Sequence, residues 1–211
     1  MKKIMLGLML SLPLAGIAQN VWERPDIQDN TKEQKVKEVT TEDPKYLEGA
    51  VPVVNGEVCW TLDLDVPGKD AQQIYEIMMR YLTNLTNEEN QLEGSAVSLV
   101  NKQEHIIAAS IREWLVFKNV FLALDRTKFL YTLIVTCNDQ HVKVDMKRLR
   151  YRYEEERDGK GFAYTAEEWI TDKYALNKKK TKLYKGSAKF RRKTIDRKDY
   201  LFESIKNTLN S

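Results

Sequence analysis

From Val58 to Val66 every second residue is apolar: Val58, Trp60, Leu62, Leu64 and Val66 alternate with Cys59, Thr61, Asp63 and Asp65. Successive side chains of a strand point to opposite faces, so the pattern predicts a strand with one buried face and one wet face. A sheet built on it is covered on one side only, which is the habit of antiparallel sheets. Pro67-Gly68 ends the strand. Asp70 and Gln73 then supply a capping box for a helix whose Ile74, Ile77, Met78, Tyr81, Leu82 and Leu85 recur at helical spacing.

Four more extended segments are predicted: Ala96 to Asn101, His105 to Phe117, Phe129 to Asn138 and His141 to Tyr153. Asn138 and Asp139 favour a tight hairpin between the last two. Within the last segment the apolar phase changes. Val142, Val144 and Met146 are even-numbered, whereas Leu149, Tyr151 and Tyr153 are odd. A strand changes face only by an extra residue, so a β-bulge is expected near Lys147–Arg148. Thr165 and Glu168 form a second capping box, before Trp169, Ile170 and Tyr174. After Gly186, Ala188, Ile195, Phe202 and Leu209 recur every seven residues, widened by Leu201 and Ile205. They predict a C-terminal amphipathic helix, with a break near Asp199. The order is strand, helix, four strands, helices. That is an α+β domain with helices packed on one face of a mostly antiparallel sheet.

The first eighteen residues carry the marks of export. Lys2 and Lys3 precede an apolar run from Ile4 to Leu14, and Gly16 and Ala18 are small residues suited to a cut before Gln19. The run is short of the roughly 20 residues of a membrane span, and no other segment reaches that length. The expectation is a signal peptide over 1–18 cleaved after Ala18, and a periplasmic or secreted protein with no transmembrane segment in its mature part. Residues 19–46 are polar, aperiodic and contain Pro25 and Pro44, so a flexible tether is expected there. Residues 47–211 form the domain.

Charge is unevenly spread. Residues 19–140 hold 12 basic and 20 acidic residues, net −8, and residues 141–211 hold 20 and 11, net +9. The basic excess concentrates in Lys178, Lys179, Lys180, Lys182, Lys185, Lys189, Arg191, Arg192 and Lys193. This cluster is a candidate interaction face, or a solvated surface that pairs with the acidic half of the domain. A second candidate surrounds Glu113, Trp114, Asp125, Arg126 and Lys128, where charges sit among aromatics. Those residues predict either an ion-pair clamp at a strand end or a ligand pocket.

Marks of catalysis are not found in the sequence. There are two histidines, His105 and His141, no HExxH or CxxC, and no glycine-rich phosphate loop. No cofactor, metal site or catalytic residue is expected, and no nucleic-acid partner for an exported chain. Cys59 belongs to the wet face of the first strand. Cys137 shares parity with Phe129, Tyr131, Leu133 and Val135, which places it on the core face. Two free thiols are therefore expected, since a disulfide needs Cβ atoms about 4 Å apart.

The segments Val51–Gly56, Val66–Gly68, Glu113–Lys118, Leu124–Phe129, Ala166–Lys173 and Lys189–Asp196 resemble a family of secreted domains of unknown function from Gram-negative anaerobes, described as having a TBP-like fold. The resemblance spans residue 47 to the end. It implies a curved antiparallel sheet in β-α-β-β-β-β-α order and carries no activity with it. Sharing a sheet shape with a DNA-binding protein does not transfer DNA binding. The function expected is a non-catalytic envelope or periplasmic module that binds an envelope protein or an anionic envelope polymer. The alternative is a carrier of a small apolar ligand held between the sheet and the C-terminal helix.

Overall fold

The computed structural model describes residues 42–121, 123–155 and 161–211. The expected signal peptide, its expected cut site and the expected tether up to residue 41 lie outside the described residues. Among the described residues there are seven strands: β1 (Val53–Val54), β2 (Glu57–Asp65), β3 (Ala96–Asn101), β4 (Ile106–Val120), β5 (Ala123–Asn138), β6 (His141–Tyr153) and β7 (Phe162–Thr165). The helices are α1 (Ala71–Leu85), the single turns α2 (Ala166–Trp169) and α3 (Asp172–Ala175), and the long α4 (Lys185–Asn210), preceded by a 3-10 turn at Pro44–Tyr46. The sheet runs β1-β2-β6-β5-β4-β3, with β7 also paired to β6. Every pairing is antiparallel. Cys59 of β2 lies opposite Lys147, and β7 opposite Arg150–Tyr153, so β2 and β7 share one edge of β6 end to end.

The α+β architecture expected from the sequence is the one observed, and its local devices form. Asp70 and Gln73 close a capping box on α1, as do Thr165 and Glu168 on α2. The bulge falls where the phase change put it. Three steps on β6, Lys147 to Arg150, face two on β5, Thr132 to Leu130, and Arg148 adopts φ +58°. The core lies between one sheet face and the helices. Ile74, Met78 and Leu82 of α1 and Phe190, Ile195, Leu201, Ile205 and Leu209 of α4 are buried with Ile107, Phe129, Leu133, Met146 and Tyr151 of the sheet.

Four features differ from expectation. The short strands β1 and β7 were not foreseen, because two or four residues cannot show a period. Strands β4 and β5 run on to Val120 and back from Ala123, well past Phe117 and Phe129, because charged residues on both faces of that stretch hide its alternation. Helix α4 is unbroken through Asp199, whose side chain is exposed, where a poor helix former costs only tenths of a kcal/mol, at most about 0.7. Finally, residues 42–46 are docked on the domain: Arg192 donates to Glu42 at 2.6 Å, and Lys45 and Tyr46 both bond Asp196. The folded unit thus begins by Glu42, before the expected boundary at 47.

Cys59 is half-buried on the open face and Cys137 is buried in the core; both are free. Burial pushes the Cys137 thiol up to about 12. Burial also raises Cys59, helped by the charge of Asp145. Because the thiolate is the reactive form, a colorimetric thiol titration of the native protein should modify Cys59 first and Cys137 only on unfolding. Equal rates would contradict the face assignment.

Candidate functional site

The five residues of the expected clamp do not converge. Consecutive strand positions point to opposite faces, and Glu113 and Trp114 are separated by the sheet. Glu113 faces the helices and is 1% exposed. Both its oxygens are held by Arg197 of α4, at 2.9 and 2.7 Å, with Tyr131 donating at 3.1 Å and Gln91 at 2.9 Å. Burial opposes the Arg197 charge, but the hydrogen bonds of Glu113 outweigh it and hold that guanidinium above its usual range. Burial, and then the Glu113 charge, keep the Tyr131 hydroxyl protonated far above the usual phenol range. Asp125 also faces the helices. Lys189 of α4 reaches it at 2.8 Å and Tyr153 at 2.9 Å, and the Lys189 ammonium sits 4.3 Å from the Tyr153 ring centre. Both acidic members are thus structural ties to α4, and their cationic partners were invisible before the fold was known.

Trp114, Arg126 and Lys128 lie together on the open face. The Arg126 guanidinium stacks 3.6 Å from the Trp114 ring centre, and Lys128 lies 6.0 Å from it. Strand register extends this group into ordered rows. Trp114, Lys128 and Arg152 are cross-strand neighbours, and the next row holds Arg112, Leu130 and Arg150. Same-face rows are about 7 Å apart, and Arg148 projects at the bulge beyond the second row. Glu155 neutralises part of the charge, pairing Lys128 at 2.7 Å and Arg152 at 3.3 Å. Arg126, Arg148 and Arg150 make no salt bridge among the described residues. Trp114, Leu124, Arg126, Lys128, Arg152 and Glu155 help to line a groove of about 600 Å³. One signal for these arginines was in the sequence. Once Leu149, Tyr151 and Tyr153 face the core, Arg150 and Arg152 must share the other face.

The basic C-terminal segment is dispersed by its own helix. Arg191 is fully buried; it donates to Tyr46 O at 2.7 Å, Ile170 O at 2.6 Å, Leu47 O at 2.5 Å and Asp172 at 2.7 Å. Lys189 is bound to Asp125, Arg192 to Glu42 and Lys180 to Glu48. Lys178, Lys179, Lys182 and Lys193 are exposed. The cations therefore point in several directions, and half of the eight strongest candidates are engaged with the domain's own acids and carbonyls. The interval between sheet and α4 is filled as well. Phe190, Ile195, Leu201, Ile205 and Leu209 are each no more than 3% exposed, so an apolar ligand there would have to displace them. Among the described residues, no group of three or more His, Cys, Asp or Glu could hold a metal ion, and no helix is long and apolar enough to cross a membrane.

Known proteins place this architecture. The family model for a domain of unknown function with TBP-like fold, DUF4468, matches residues 60–152. A crystal structure of a DUF4468 family protein from Bacteroides ovatus is 39% identical, with a TM-score of 0.74, over 81% of this chain and 96% of that one. A TBP-like protein from Parabacteroides distasonis shares the fold at 20% identity and a TM-score of 0.60, over 77% of this chain and 98% of that one. No curated protein matches the chain. With that extent of identity to one solved member, the chain belongs to the DUF4468 family of TBP-like domains.

Proposed function

We propose that this is a non-catalytic, extracytoplasmic binding module whose open sheet face takes an anionic partner. The observation that carries the proposal is the pair of registered rows around Trp114, flanked by Arg126 and Arg148; Arg126, Arg148 and Arg150 make no salt bridge among the described residues. Guanidinium forks match phosphate, sulfate and carboxylate oxygens two at a time. Arg126 is already oriented by stacking on Trp114, so less side-chain freedom is lost when a ligand binds. The guanidinium, ammonium and indole groups of the groove are suited to anions, and its carboxylates Asp125 and Glu155 are tied to Lys189 and to Lys128 and Arg152. The extracytoplasmic part rests on the Lys2-Lys3, apolar-run and Gly16/Ala18 pattern.

Heparin serves as a soluble polyanion probe. Its affinity should fall at least tenfold as salt rises from roughly 50 to roughly 300 mM, because screening shortens the reach of exposed charges. An affinity that stays constant over that range would reject the electrostatic account.

A further inference from the structure

We infer that the anionic partner is a phospholipid surface, entered tip first by the arm that β4 and β5 form beyond the sheet. This rests on the binding face proposed above and adds what that face meets.

The arm outruns its neighbours. Pairing of β5 with β6 stops at Thr127, opposite Tyr153, while β4 and β5 stay paired to Val120 and Ala123. Four further residues of β5, matched by five of β4 because of the bulge between Val116 and Lys118, give a reach of about 13 Å. A connection two residues long in sequence, beginning with Phe121, joins the paired Val120 and Ala123. Such turns normally carry Asn, Gly or Asp, which accept positive φ and face water. Here Val120-Phe121-Leu122-Ala123 is apolar throughout. Phe121 is 92% exposed, Leu124 55% and Val120 51%, so these side chains do not pack within the domain.

Behind the tip the chemistry changes in an ordered way. Leu124 lies on the open face, two residues from Arg126, and Trp114, Lys128 and Arg152 follow toward the sheet. Lys118 flanks the arm across from Asp125, and the Asp125 charge is taken by Lys189. Apolar tip, then indole and cations, is the depth order of a bilayer interface. Apolar side chains enter the acyl boundary about 5–10 Å deep, while aromatics and basic groups stay with the headgroups. The cations make anionic lipid the matching surface. A protein pocket for Phe121 would use the tip without needing anionic lipid.

The full mature chain can be sedimented with vesicles of phosphatidylcholine alone or containing about one-third phosphatidylglycerol, in parallel with heparin titrations. Binding to the anionic vesicles is expected, with at least tenfold weaker binding to neutral ones. Phe121→Ser with Leu124→Ser should lower vesicle affinity at least tenfold while heparin affinity changes less than twofold. Both side chains are exposed, so the melting temperature should stay put. Arg126→Gln should weaken both ligands. Equal vesicle binding by the tip variant, or equal binding to neutral vesicles, overturns the inference. Heparin binding without vesicle binding overturns it and leaves the anionic face standing; binding of neither removes both.

Discussion

Arg191→Met is expected to destabilise the domain by about 3–5 kcal/mol, the usual cost of removing one partner from a buried charged network. The guanidinium is fully buried, and its four hydrogen bonds tie together the Tyr46–Leu47 segment, the end of α2 at Ile170 and the start of α3 at Asp172. Methionine fills much of the volume but leaves three carbonyls and a carboxylate without their donor. For a domain of this size the melting temperature should drop by roughly 6–20 °C. Arg191→Lys keeps the charge but lacks the planar fork, and should fall between the two. Denaturant unfolding measures this directly. A loss below about 1 kcal/mol would mean that these polar groups find water or new partners on their own.

Removal of residues 194–211 should abolish folding. The segment contributes Ile195, Leu201, Ile205 and Leu209, all at 3% exposure or less. Each fully buried large apolar side chain is worth about 1.5–3 kcal/mol, so the four together supply roughly 6–12 kcal/mol. That is comparable to the whole net stability of a domain, about 5–15 kcal/mol. The truncation also takes Arg197 and strands Glu113 in the core. In contrast, a chain starting at residue 42 should melt within about 2 °C of one starting at Gln19. Starting it at 48 removes Tyr46 and Leu47, two of the Arg191 acceptors, and should be clearly destabilising. Circular dichroism melts of the three truncations separate these cases. A cooperative melt of the 19–193 fragment would show that α4 is an appendage and not part of the core.

Those two predictions also mark where sequence ceases to be informative. Period and capping need only neighbouring residues, so β2, α1, the bulge in β6 and the α2 capping box were legible. Partner choice across more than eighty residues of chain was not. Nothing local to Glu113 identifies Arg197, and nothing in Lys178–Lys193 distinguishes the buried Arg191 from the exposed Lys193. A run of like charges read as one face is split by the 100° step of its own helix. Conversely, the cations that do gather are scattered over β4, β5 and β6, and only strand register brings Lys128 and Arg152 into a row with Trp114 and Arg150 into a row with Arg112. Of the clamp residues, Trp114, Arg126 and Lys128 survive as one cluster because their shared parity puts them on one face. Glu113 and Asp125 leave it for the opposite reason.

The anionic face is tested most directly by moving the same charge change between two surfaces. One variant carries Arg126→Gln, Arg148→Gln and Arg150→Gln; the other carries Lys178→Gln, Lys179→Gln and Lys180→Gln. Both lose three positive charges, so any effect of net charge alone is shared. Calorimetric titration with heparin at low salt should show at least a tenfold loss of affinity for the first variant and less than a twofold change for the second. Equal losses, or a loss confined to the lysine variant, would contradict the assignment of the open sheet face as the binding surface.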